Sequence, residues 1–320
     1  MVNVKDVLDM VRDNTLKTGF PLPAPRDVVY RWAADLGLPG KGGAYLYTGG
    51  LYQLVPYINS LVRQLESLEE SRSGGFVFGI AKRVSKILDL SRIVKPERGD
   101  VEYSSSVLRS IVRLLDAAGI GFAYLYEADM YSGILLHDLG LMEEFAEHAG
   151  RVYRVLREKG VERVITVDPH TTYALRSLYP RFVDGYSLEV DNYLELLYEN
   201  LGKGSLSFTK EDRGDVVIHD PCYYARFDNI LEPPRRLLEA AGYRVLEPRR
   251  SGLMTYCCGG PVEAVSPSLA LRISMERMQE LREKSRRVVT LCPICYANLS
   301  RARGDAVVRD IALYLGEALG

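Results

Sequence analysis

The stretch RVITVDPHT at residues 163–171 returns as RVVTLCPIC at residues 287–295, and this pair decides the fold. In both, a run rich in β-branched residues reaches Asp168 or Cys292, then a proline suited to the first turn of a helix. Two further matches keep the same order and nearly the same spacing: LLDAAG at 114–119 with LLEAAG at 237–242, and YSG at 131–133 with CCG at 257–259. Ordered matches of this kind imply a duplicated unit.

Working outward from the pair, helix and strand patterns alternate. GAYLYTGG at 43–50 reads as a strand ending in glycines, followed by a helix from Leu51 to about Glu70. Further on come the helix SSVLRSIVRLLDAAG, the strand GFAYLYE, a long helix from Ile134 to Lys159, the strand VERVITVD and a short helix after Pro169. This alternation predicts an α/β fold: two tandem duplicated α/β domains with mainly parallel sheets, preceded by a short helical N-terminal segment. The segment spans residues 1–40, with helices at about Val4–Arg12 and Arg26–Leu36. The first domain spans 41–205 and the second 206–320, meeting where residues 202–214 turn rich in Gly, Ser and charge. Ser71 to about Tyr103 reads as a polar insertion with one amphipathic helix around Val77–Leu90.

The 320 residues are 47% hydrophobic, enough to bury a sizeable core, and the net charge of -1 gives no electrostatic reason to expect nucleic acid. No apolar stretch approaches the ~20 residues that span a bilayer, and MVNVKDVLDM alternates charged and apolar residues where a signal peptide would carry an apolar run. The expected location is the cytoplasm. All five cysteines, Cys222, Cys257, Cys258, Cys292 and Cys295, fall in the last third of the chain. In a reducing compartment they point to metal binding or redox chemistry rather than to structural disulfides.

The duplication shows what the copies do not share. Gly49-Gly50 stands opposite Cys222, Tyr131-Ser132 opposite Cys257-Cys258, and Asp168 and Thr171 opposite Cys292 and Cys295. The first copy therefore reads as a cysteine-free, degenerate site. Its Asp168 and His170, with Glu127, Asp129, Tyr131 and His137 near, read as a polar loop, a separate metal or substrate site being the alternative. In the second copy, VVIHDPC and VVTLCPIC put cysteines just beyond strands, at the edge of a parallel sheet where ligand sites form. Pro293 starts a helix, so Cys292 is expected near exposed N–H groups that favour a thiolate. Gly259 and Gly260 let the backbone turn tightly beside a bulky ligand. His219 and Asp220 precede Cys222 and are candidates to hydrogen-bond a sulfur or fix the loop.

A zinc ion or a cubane [4Fe-4S] cluster takes four protein ligands, and five cysteines are present. Adjacent cysteines fit one small ion poorly and several irons better. Zinc held by four of the five, or a metal-free C-x-x-C dithiol, remain as alternatives.

The spacing from Cys222 to Cys257-Cys258-Gly259 and on to Cys292-Pro293-Ile294-Cys295, flanked by HDPCYYAR and TLCPICYANL, resembles the cysteine-rich CCG domains of the B and D subunits of heterodisulfide reductase. Related iron-sulfur subunits of glycolate oxidase and some succinate dehydrogenases are similar too. The resemblance covers the chain from about residue 43, since those proteins carry two such domains in tandem. It implies an iron-sulfur cluster on the five cysteines: in heterodisulfide reductase an open, non-cubane [4Fe-4S] cluster at which a disulfide is cleaved, in some copies of the motif zinc. The implied function is an iron-sulfur subunit of a redox complex, transferring electrons or reducing a disulfide. Because the first copy lacks ligands, a mechanism needing two clusters is not available from this chain alone. The chain also has no ferredoxin-type C-x-x-C-x-x-C run, so a partner, a ferredoxin-type iron-sulfur subunit or a flavoprotein, is expected to supply the relay and any membrane association. The other readings are a zinc-binding assembly module and a metal-free dithiol oxidoreductase.

Overall fold

A computed structural model describes residues 4–22, 24–70 and 95–320. The first sheet holds β1 (Tyr45–Tyr47), β2 (Ala123–Tyr124), β3 (Arg163–Thr166) and β4 (Glu189–Asn192). The second holds β5 (Gly214–His219), β6 (Tyr243–Leu246), β7 (Arg287–Thr290) and β8 (Val307–Asp310). The orders are β2-β1-β3-β4 and β6-β5-β7-β8, and every pairing is parallel. The α/β architecture with two equivalent parallel sheets thus follows the repeat. Apolar runs explain the central strands: Leu46, Val164, Ile165, Val216, Val217, Ile218, Val288 and Val289 are all at most 1% exposed, as strands covered on both faces require.

Differences from the sequence reading lie at element edges. The N-terminal helix continues to Thr18, and Arg26–Leu36 forms two short 3-10 turns, Arg26–Val29 and Arg31–Ala33, in place of a helix. The long helix expected over Ile134–Lys159 is two, Ile134–Asp138 and Met142–Glu158, interrupted where Gly140 adopts φ +79°. The helix before β2 begins at Arg98, inside the stretch read as a polar insertion. The amphipathic helix expected at Val77–Leu90 lies outside the described residues.

One continuous core joins the sheets. Leu46, Tyr124 and Ile165 from the first belong to the same buried cluster as Val216, Ile218 and Val289 from the second. Helices Arg98–Ala117, Tyr193–Gly202 and Ile311–Glu317 fill the space between with Leu108, Leu194, Leu197, Ile311 and Leu315. Each such side chain, fully buried, contributes about 1.5–3 kcal/mol. Polar contacts repeat across this core in a crossed pattern. Tyr52, in the helix after β1, donates its hydroxyl to Asp310, the N-cap after β8, at 2.7 Å. Tyr224, which follows β5 as Tyr52 follows β1, accepts at 2.7 Å from Asn192, the N-cap after β4.

Candidate metal centre

In each sheet the chain leaves the first strand toward one edge and returns on its other side, so a crevice opens beyond the carboxyl ends of β5 and β7. Cys222 follows β5, Cys292 follows β7, and Cys257 and Cys258 lie in the loop beyond β6. Cys295 sits in the first turn of the helix Pro293–Arg301. All five thiols are free of disulfides; Cys222 and Cys257 are half-buried and the other three buried. Cys222, Cys258, Cys292 and Cys295 line one open cavity of about 1030 Å³, walled largely by apolar side chains such as Val7, Leu51, Ile134 and Ile294.

Local chemistry holds these loops in place. Asp220, 1% exposed, takes two hydrogen bonds from Arg235 at 2.8 and 2.9 Å and one from the Gly252 N–H at 2.7 Å. Thr255 donates to the Asp220 carbonyl at 2.8 Å, tying the loop after β6 to the loop after β5. Asp220 therefore fixes the backbone. Gly259 has φ +94°, and a Cβ there would lie 2.5 Å from the Ala270 carbonyl oxygen. A Cβ on Gly260 would lie 2.5 Å from Ile294 Cγ2. Only glycines let this turn pass between the helices Pro267–Arg282 and Pro293–Arg301.

The sulfurs perturb one another. A hydrogen bond from the Cys257 thiol, a second from Cys295 and the proximity of His219 outweigh burial and bring the Cys258 thiol well below its ordinary value. At Cys292, burial is outweighed by a hydrogen bond from Cys295 and by His170, and the thiol falls to about 6. Burial pushes Cys222 up to about 12, while Cys257 and Cys295 rise because they donate. Two thiolates flanked by three thiols form a soft donor set. The nearby carboxylate of Glu263 is occupied by Asn298 at 3.1 Å and Arg301 at 2.6 Å.

His219 belongs to this group: a ring nitrogen and the sulfurs of Cys258 and Cys295 lie within 4.8 Å of one another. His170, which the sequence placed in the degenerate first site beside Asp168, also reaches the second, its Nδ1 3.8 Å from an Asp168 carboxylate oxygen and 3.6 Å from Cys292 Sγ. Only its alignment with Ile294, between the two cysteines of the C-x-x-C, hinted at this.

The remaining first-copy residues close their own site. Asp129 accepts from the N–H groups of Thr48 and Gly49 at 3.0 Å each and from Tyr124 at 2.9 Å. Asp168 caps its helix, accepting from the N–H groups of His170 and Thr171 at 2.9 and 3.0 Å. Cys292 occupies the equivalent cap and makes no such bond. A Cβ on Gly49 would meet Thr171 Oγ1 at 2.4 Å, so packing fills the space. Tyr131 and Ser132 are buried, Glu127 is exposed, and His137 packs on Phe145 and Phe182. Among the described residues, the one group of three His, Cys or acidic side chains spaced for a metal is that of the second copy.

Comparison with known proteins places this geometry. Residues 216–300 match the cysteine-rich domain CCG. The chain is 30% identical over 77% of its length to a probable membrane-anchored ferredoxin of Chromohalobacter salexigens, spanning 40% of that protein. It is 29% identical over 61% of its length to a probable iron-sulfur-binding oxidoreductase of Bacillus subtilis, spanning 28% of it. With the D subunit of the dihydromethanophenazine:CoB–CoM heterodisulfide reductase of Methanosarcina acetivorans it shares 28% identity over 73% of its own length and 61% of that protein's. It thus spans well under two thirds of the first two and slightly under two thirds of the third. Residues 216–300, with all five cysteines among them, are a CCG cysteine-rich domain, in a chain similar to iron-sulfur oxidoreductases and to a heterodisulfide reductase subunit.

Proposed function

We propose that Cys222, Cys257, Cys258, Cys292 and Cys295 hold a [4Fe-4S] cluster, non-cubane in form, and that the chain is the electron-transferring or disulfide-reducing subunit of a redox complex. One observation carries the reading: cysteines from three separate chain segments gather at a single crevice, four of them lining it and Cys257 hydrogen-bonded to Cys258, with the Cys258 and Cys292 thiols lowered. A bound cluster of this kind supplies one-electron chemistry. Around it the chain's own residues set the conditions. The cavity wall is largely apolar, and the rings of His170 and His219 lie beside the sulfurs of Cys292 and Cys258. Tyr223, which lines the cavity, donates to Asp138 and packs against His170, with ring centroids 4.7 Å apart.

The relatives support a partner that carries electrons to or from this site, a ferredoxin-type iron-sulfur subunit or a flavoprotein. Among the described residues no helix is long and apolar enough to cross a membrane. We place the chain in the cytoplasm, with membrane association through such a partner. Zinc is the second reading, favoured by the close spacing of His219, Cys258 and Cys295. Metal and sulfide analysis of chain purified without oxygen, with EPR spectra, decides: about four irons and four sulfides per chain support the cluster. One zinc without iron would replace it.

A further inference from the structure

We propose that Arg277 fixes the tautomer of His219 so that its Nε2–H is donated to the sulfur of Cys258, making the pair positioning residues that raise the reduction potential of the metal centre. The inference rests on the cluster reading above. Arg277 is 0% exposed, lies on the helix Pro267–Arg282, and is oriented by Glu280 at 3.2 Å and by the Arg250 carbonyl oxygen at 2.9 Å. Its Nε points at Nδ1 of His219, 3.1 Å away. A guanidinium can only donate, so Nδ1 must accept, and the proton of the neutral ring sits on Nε2.

His219 is 1% exposed, and its Nε2 is buried with no hydrogen-bond partner within the protein, which leaves its proton free to serve a ligating sulfur. A ring nitrogen of His219 and the sulfurs of Cys258 and Cys295 lie within 4.8 Å of one another, and of the two thiols it is Cys258 that His219 lowers. A protonated Nε2 cannot ligate a metal, so His219 supports the sulfur ligands and is not one of them. A hydrogen bond to a ligating thiolate withdraws charge from sulfur, stabilises the reduced centre and moves its potential upward.

The test uses the full chain, purified without oxygen, with metal and sulfide content and an EPR-monitored redox titration for wild type, His219→Leu and His219→Gln. Glutamine can accept from Arg277 through its carbonyl oxygen and donate through its amide. The expected result is the same iron content in all three, a midpoint potential shifted negative in His219→Leu, and recovery of most of that shift in His219→Gln. Equal potentials, or iron lost from both variants as for a removed ligand, overturn the proposal. Nitrogen-15 histidine spectra give a readout free of any metal: Nε2–H in the wild type supports the proposal, Nδ1–H or a doubly protonated ring overturns it. A wild type lacking iron and sulfide would overturn the cluster reading, and the spectra would still decide the tautomer.

Discussion

His170 Nδ1 lies 3.6 Å from the sulfur of Cys292, so a residue of the cysteine-free half completes the surroundings of the cysteine-bearing half. Burial lowers the basicity of His170, yet the facing sulfur and Asp168 outweigh it and hold the ring up to about 9. The same pairing lowers Cys292. Replacing His170 by Leu should therefore raise the Cys292 thiol in the metal-free chain. Alkylation of Cys292 by iodoacetamide, followed by mass spectrometry across pH, should slow about tenfold at pH 7 as the thiolate fraction falls. An unchanged profile would show that Cys292 owes its acidity to Cys295 alone.

Cys258 is the sulfur on which Cys257, Cys295 and His219 converge. Cys258→Ala should abolish iron and sulfide binding, while the folded chain survives, because the cysteine side chain is small and the surrounding core is carried by other residues. Metal analysis alongside circular dichroism checks this. Retention of one zinc by the variant would favour the zinc reading.

Gly259 combines φ +94° with a Cβ position 2.5 Å from the Ala270 carbonyl oxygen. Gly259→Ala should cost roughly 2–4 kcal/mol, from left-handed backbone strain plus a collision with main chain that cannot rotate away. Urea unfolding measures the loss. A cost below about 0.5 kcal/mol, the range of ordinary surface changes, would mean that the turn relaxes.

His148 gives a pH signature away from the cysteines. Its Nε2–H donates to the Tyr131 carbonyl at 2.7 Å, Nδ1 is buried without a partner, and burial lowers the ring to about 4 from 6.5. As pH falls the unfolded chain takes the proton first, so the stability present above 6.5 drains away between 6.5 and 4. Between pH 7.5 and pH 5 the loss should be about 2 kcal/mol. His148→Gln, itself less stable, should remove that part of the slope in denaturation midpoints taken across the range. Parallel slopes for the two proteins would sink the assignment.

The repeat carried most of the fold because buried parallel strands must be apolar throughout. VVI in β5 and VV in β7 advertise themselves, and the cysteines mark the strand ends. Helix boundaries were less legible. Gly140 is one residue in a strongly amphipathic run, and nothing local announces that it turns left-handed. The five cysteines could be singled out because the residue is rare in the chain and they fall in one third of it. Arg277 could not: the middle of three arginines in RISMERMQELR looks like any solvated helix residue, and it is the packing of that helix against β5 that buries it. The contact of His170 with Cys292 was missed for a related reason. Sequence registers the two copies against each other and says nothing of how they face.

The crossed bonds Tyr52–Asp310 and Asn192–Tyr224 bear on ancestry. Each half offers the same two surface features, the tyrosine after its first strand and the cap after its last, and each receives them from the other. That is the contact logic of an isologous twofold dimer, preserved within one polypeptide. The chain is in effect a pair of like halves in one polypeptide, of which one carries all five cysteines. The other half, through Tyr131, Ile134 and His170, forms part of the wall of its twin's crevice.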